Sequence, residues 1–158
     1  MSARPAHPKV AVITGASSGI GLVTAKALAA QGWKQIETPG FSEQVGPFWV
    51  RPGEGTGWEV GFLATEKLTN NHIHTVHGGA LMTFADVALG YTVVQLLGGT
   101  NCVTVQLQMQ FVSTARFGEF VSCATEVVRQ SSSLVFMRGL MKANGRTVAS
   151  ADGMWKVL

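Results

Sequence analysis

The chain has 158 residues, enough for one ordinary domain with a short appendage. Hydrophobic residues make up 46% and charged residues 13%, so little charge is available to coat a monomer, which points to some surface being buried against a second copy. The net charge of +3 comes from scattered Lys and Arg without a basic run, which argues against a nucleic-acid tract.

Two cysteines, Cys102 and Cys123, lack CxxC spacing and read as free thiols of a reducing compartment. No stretch reaches the ~20 apolar residues of a membrane span. Met1 to Lys9 contains Pro5 and Pro8, and the apolar run after it is too short for a secretory signal. The expectation is a cytoplasmic protein that meets neither membrane nor nucleic acid.

The first elements are a strand at Val10–Ile13, a glycine turn, and a helix from about Ser18 to Ala30 ended by Gly32. Breaks at Thr38-Pro39-Gly40 and Gly46-Pro47 follow, and the expected boundary separates residues 1–40 from 41–158. Thr14-Gly15-Ala16-Ser17-Ser18-Gly19-Ile20-Gly21 resembles the TGxxxGxG fingerprint of short-chain dehydrogenases over about Lys9 to Trp33. The rest of that family's pattern is missing. Strand–helix alternation stops after one unit, and the Tyr-x-x-x-Lys pair is absent, because the only tyrosine is Tyr91 and position 95 holds Gln95. Residues 1–40 are therefore expected to be a βα remnant and linker that binds no nucleotide. The alternative is a fragment of an NAD(P)-dependent reductase.

Beyond the breaks, strands are expected at Pro47–Val50 and Trp58–Ala64, then a polar loop over Thr65–Val76. A long helix is expected from about Gly79 to Leu97, with Leu81, Phe84, Ala85, Ala88 and Leu89 as its apolar stripe and Gly98-Gly99 as its stop. Val103, Val105, Leu107, Met109 and Phe111 alternate with Thr104, Gln106, Gln108 and Gln110, which predicts a strand over Cys102–Phe111 with one face on the core. Strands at Glu119–Arg129, Leu134–Lys142 and Thr147–Val157 complete the set, the last two joined by an Asn144-Gly145 hairpin turn. One long helix with an antiparallel meander is an α+β arrangement.

The segment from Asn71 to Asp86 carries the chemistry. Gly78 and Gly79 open the long helix after His77, and amides there lack intrahelical partners, so they can donate to an oxygen that turns negative during acyl transfer. Asp86 lies two turns on in an apolar run without a charge partner, the setting of a general base or a nucleophile, or else of an exposed surface acid. His72, His74 and His77 invite a metal reading, but no Asp, Glu or Cys accompanies them, so no metal is expected.

Asn71, His77, Gly78, Gly79 and Asp86 match, in identity and spacing, the Asn-x5-His-Gly-Gly-x6-Asp motif of PaaI-type thioesterases, which this segment resembles. Ser113-Thr114-Ala115-Arg116-Phe117-Gly118-Glu119 resembles that family's Pro-Ala-Arg-x-Gly-Glu turn, with Thr114 in place of the proline. The resemblance covers about Phe41 to Leu158. It implies a hotdog fold, a long helix wrapped by an antiparallel sheet, in a homodimer or homotetramer with sites between subunits. It also implies hydrolysis of an acyl-CoA thioester without a cofactor. Asp86 would activate water or attack directly, facing the His77-Gly78 turn of the partner. The Gly78 amide would polarise the carbonyl, Asn71 would help hold the water or the carboxylate, His77 would brace the turn, and Thr104 would touch the water. Gly79 and Arg116 would meet substrate. A non-catalytic acyl-CoA-binding module is the alternative, and a hydratase of the related MaoC type would need a His shortly after Asp86, where none stands.

Overall fold

A computed structural model describes residues 20–158 apart from 71 and 100, with side chains from residue 24. The strand and most of the glycine turn expected at residues 10–19 lie outside the described residues. The elements are α1 (Ile20–Ala30), β1 (Lys34–Ile36), β2 (Phe48–Pro52), β3 (Trp58–Leu63), α2 (Gly78–Leu96), β4 (Cys102–Phe111), β5 (Phe120–Gln130), β6 (Leu134–Ala143) and β7 (Arg146–Val157). Two short 3-10 turns lie at Phe41–Gln44 and Glu66–Leu68. The strands form one seven-stranded antiparallel sheet in the order β1-β2-β3-β5-β6-β7-β4. The chain leaves β3 through α2 and returns at the far edge as β4, so α2 crosses one whole face of the sheet.

Alternation along the strands selects the residues under α2. Val60, Phe62, Val121, Cys123, Val135, Met137, Ala151 and Trp155 are buried there, against Leu81, Phe84, Ala85, Ala88, Leu89 and Val93 of the helix. Phe84 stacks on Phe48 and meets Phe62 edge-on at 4.7 Å, fixing the N-terminal half of α2. By length and composition α2 alone would pass for a membrane span, but its apolar stripe is spent on the sheet. Asn144 and Gly145 take φ of 49° and 78°, the left-handed conformation that a two-residue hairpin between β6 and β7 demands.

A second, smaller cluster lies on the opposite face. Trp49 and Arg51 alternate with the core residue Val50, so they point away from α2. Ala25 and Leu28 of α1 bury Trp49 there together with Trp33, which meets Phe120 edge-on at 5.0 Å. The Arg51 guanidinium sits 4.6 Å from the Trp33 ring, donates to the Gln31 carbonyl and pairs with Glu59. The sequence reading contained no strand at Lys34–Ile36. It pairs with β2, so residues on both sides of the Thr38-Pro39-Gly40 break belong to one sheet.

β4 keeps its expected bounds, and Leu107 and Met109 pack on the core as expected, but the start of the strand does not keep its expected face. Val103 and Val105 are 46% and 55% exposed. A bulge between Thr104 and Gln106 changes the phase of the strand, so that Cys102 and Thr104 share the α2 face with Leu107 and Met109. Strict alternation would have left Thr104 on the outer, polar face.

Candidate functional site

The start of α2 is held by its N-cap, His77, in extended conformation (φ −64°, ψ 137°). Its backbone N–H donates to the Leu68 carbonyl at 2.8 Å, and its carbonyl accepts from the N–H groups of Ala80 and Leu81. Its ring Nδ1 accepts from the Gly79 N–H at 2.9 Å. Of the two amides that sequence reasoning left open, Gly79's is therefore occupied by the imidazole. The Gly78 N–H finds no acceptor among the described residues. A Cβ at Gly78 would stand 3.4 Å from the Phe111 ring, so the glycine keeps the amide clear beneath an aromatic wall.

The turn after β4 locks this cap in place. Val76 N–H donates to the Ala115 carbonyl at 2.8 Å, Thr75 bridges Arg116, and Phe117 N–H donates to the His74 carbonyl. Glu119 accepts from the Arg116 N–H at 2.8 Å and pairs with Arg146, which also donates to the Thr114 carbonyl at 2.6 Å. That fork ties the turn at Thr114 to Glu119 and to the start of β7. Arg116 itself is exposed; among the described residues its guanidinium makes no hydrogen bond or ion pair, and its charge acts on Glu119. Asn71 lies outside the described residues.

Burial would raise the Glu119 pKa, but the Arg116 amide and the Arg146 guanidinium outweigh it and hold the carboxyl below the usual glutamate range. A group with a depressed folded pKa stabilises the fold above its unfolded value, about 4.3, and loses that contribution as pH falls through the folded value. Glu119→Gln is therefore expected to cost about 1 kcal/mol at pH 7. At pH 2–3 the variant and the parent should converge, as read from urea midpoints at the two pH values. A difference that persists undiminished at low pH would contradict the assignment.

Asp86 sits on the half-buried side of α2, turned toward β4. The Thr104 hydroxyl donates to its Oδ1 at 2.6 Å, a short bond of the kind an ionised acceptor makes. Sequence reasoning found no charged partner for this carboxylate among its neighbours and offered Asn71; among the described residues the partner is a hydroxyl 18 positions away, turned inward by the bulge. Cys102 is two residues before Thr104, and its thiol pKa is raised by burial first and by the Asp86 charge second, which keeps the sulfur protonated. Along one helix the eight residues from Gly78 to Asp86 span about 12 Å. The free amide and the carboxylate of a single chain thus cannot reach one carbonyl group.

Sequence reasoning missed Phe111 as the wall over Gly78, Arg146 as the brace of the turn, and Cys102 as the neighbour of Asp86. A basic residue after the Asn144-Gly145 hairpin was the only available signal for Arg146, and nothing in the spacing marked the other two.

Residues 73–150 match the family model described as the thioesterase superfamily. A candidate esterase of Pseudomonas aeruginosa, PA0474, is 34% identical over 112 residues, 70% of this chain and 83% of that protein. Two solved structures are similar in fold. A variant of the phenylacetic acid degradation protein PaaI from Thermus thermophilus is 22% identical with a TM-score of 0.66, over 75% of this chain and 98% of that one. A hypothetical thioesterase protein with coenzyme A from Streptococcus pneumoniae is 21% identical with a TM-score of 0.64, over 70% and 85% of the two chains. The fold they share with this chain is the hotdog fold, here with a short N-terminal helix added.

Proposed function

Because the chain belongs to the thioesterase superfamily, we propose that it hydrolyses an acyl-CoA thioester to the free acid and CoA, in a site built by two copies of the chain. The observation that carries this reading is the pairing of a Thr104-held Asp86 with an unused Gly78 amide too far along the same helix to serve the same site. The edge of β4, unpaired among the described residues and with Val103 and Val105 exposed, is where a second copy would continue the sheet. Edge pairing of two β4 strands sets the two α2 helices side by side, with Asp86 of one chain facing the His77-Gly78 turn of the other.

In that site the thioester carbonyl oxygen accepts from the partner's Gly78 amide. Asp86, held by Thr104, takes a proton from water as the water oxygen bonds to the carbonyl carbon. The negative charge that develops on the oxygen falls on the amide and the helix N-terminus. Collapse breaks the C–S bond, and the proton goes to the departing CoA thiolate. Asn71 would hold the water, and His77 keeps the cap shaped through the Gly79 amide. Gly79 gives room beside the carbonyl, and Arg116, exposed beside the start of α2, meets the anionic CoA moiety. The coenzyme A in the pneumococcal neighbour supports a CoA thioester.

The test is a panel of short, long and aryl acyl-CoAs followed by release of free thiol. Turnover of at least one supports the reading, and binding without thiol release contradicts it. Within that assay, Thr104→Val removes the hydroxyl at nearly constant shape. It is expected to lower kcat about tenfold with KM little changed, and Thr104→Ser should restore most of the loss. A Val variant as active as the parent would remove Thr104 from the machinery.

A further inference from the structure

Phe111 is a large apolar side chain left in the open beside an amide that the described fold leaves unused. It closes β4, paired with Ala149 of β7, and it is 55% exposed. The backbone after it is pinned. The N–H groups of Val112 and Ser113 both donate to the Val148 carbonyl, at 2.9 and 3.1 Å, and the Val76–Ala115 bond ties the following turn to the start of α2. The ring is thus held against the helix start by the same backbone that holds the cap.

The ring meets Gly78 edge-on. Of its atoms only Cζ and Cε1 lie within 4 Å of where a Gly78 Cβ would stand, at 3.4 and 3.6 Å. In a helix the Cα–Cβ direction leans toward the N-terminus, which is also where the unused first-turn N–H groups point. The ring edge therefore borders the path to the Gly78 N–H. An amide open to water spends its donor on water, and a hydrogen bond to a developing anion strengthens as water is excluded. The edge of an aromatic ring carries partial positive charge, so this wall can stand beside an oxyanion without opposing it.

We propose that Phe111 is a positioning residue for the reaction: its ring shuts water out from the Gly78 amide once an acyl thioester is seated, so that the donor is spent on the thioester carbonyl. This rests on the thioesterase reading of Asp86 and Gly78. The exposed part of the ring is the part that the thioester and the second chain cover. Antiparallel pairing of two β4 edges lays the end of one strand beside the start of the other, which brings Phe111 of one chain to the side of the shared site where the partner's Asp86 stands. The role asks for an apolar side chain of about this size at the end of β4.

Phe111→Ala should lower kcat on the best acyl-CoA about tenfold with KM within about threefold, and Phe111→Leu, which keeps an apolar cover, should retain most of the activity. A double variant separates this role from packing. In the Gly78→Pro chain the amide is gone, so adding Phe111→Ala should cost about twofold or less. Equal losses from Phe111→Ala with and without the Gly78 amide, or a loss confined to KM, overturn the inference.

Isotope-edited infrared spectra of a bound acyl-CoA read the amide directly. In the Asp86→Asn chain the thioester stays intact, and its carbonyl band should lie at lower frequency than in water. Adding Phe111→Ala should return the band most of the way to its position in water, as should adding Gly78→Pro. A band that Phe111→Ala leaves unmoved overturns the inference. If the parent binds acyl-CoA without hydrolysing it, the thioesterase reading fails and the band alone decides; if it binds none, the two fall together.

Discussion

Asp86→Asn is expected to lower kcat on the best acyl-CoA by about a thousandfold while KM stays within a few fold. Asn keeps the size of the side chain and an oxygen for the Thr104 hydroxyl, so the 2.6 Å contact and the packing of α2 survive. It cannot take a proton from water, nor can it form an acyl anhydride. The variant should unfold within a few degrees of the parent and bind acyl-CoA normally. Steady-state kinetics together with a binding isotherm check this. A variant with ordinary turnover, or one whose loss lies wholly in KM, would remove the carboxylate from the chemistry.

Gly78→Pro is the second large effect. Proline at the first position of a helix is well tolerated, because its fixed φ suits the helix and its missing N–H has no partner there. The residue before a proline must be extended, and His77 already is, at ψ 137°. The substitution thus removes the one unused amide with little disturbance to the cap. The expected loss is about 100- to 1000-fold in kcat, the range for deleting one oxyanion donor. Gly78→Ala keeps the amide, meets the Phe111 ring at 3.4 Å and should retain far more activity. Equal losses in the two variants would assign the effect to crowding and not to the donor.

The fold was readable because local patterns agreed with it. The apolar stripe of α2 and the Asn144-Gly145 turn are local signals, and each stands within a residue or two of its expected place. β1 was not readable: Lys34-Gln35-Ile36 has no periodicity and is a strand only because β2 pairs with it. The cover that α1 places over Trp49 depends on which sheet face each residue takes, and that is settled by pairing. Alternation along β4 gave the right element and the right inner face at Leu107 and Met109, but the wrong one at Val103 and Val105, because a bulge leaves no mark in a run of alternating residues.

The same bulge explains why the site was only half legible. Asp86 stood out as an acid in an apolar run, and the family resemblance pointed to Thr104, yet periodicity sent that threonine to solvent. The two meet because one extra residue at Val105 rotates the start of β4. The His-Gly-Gly segment reads as two open amides, and a side-chain cap from His77 closes one of them.

Mixing the two inactive variants tests directly whether the site is shared. In a dimer of one Asp86→Asn chain and one Gly78→Pro chain, one site carries both substitutions and the other carries neither. Random re-association of equal amounts makes half the dimers mixed, so activity should recover to about a quarter of the parent's per chain. Recovery near that level, absent when either variant is refolded alone, is the predicted result. No recovery in a mixture shown to contain mixed dimers would contradict a site that joins Asp86 of one chain to Gly78 of another.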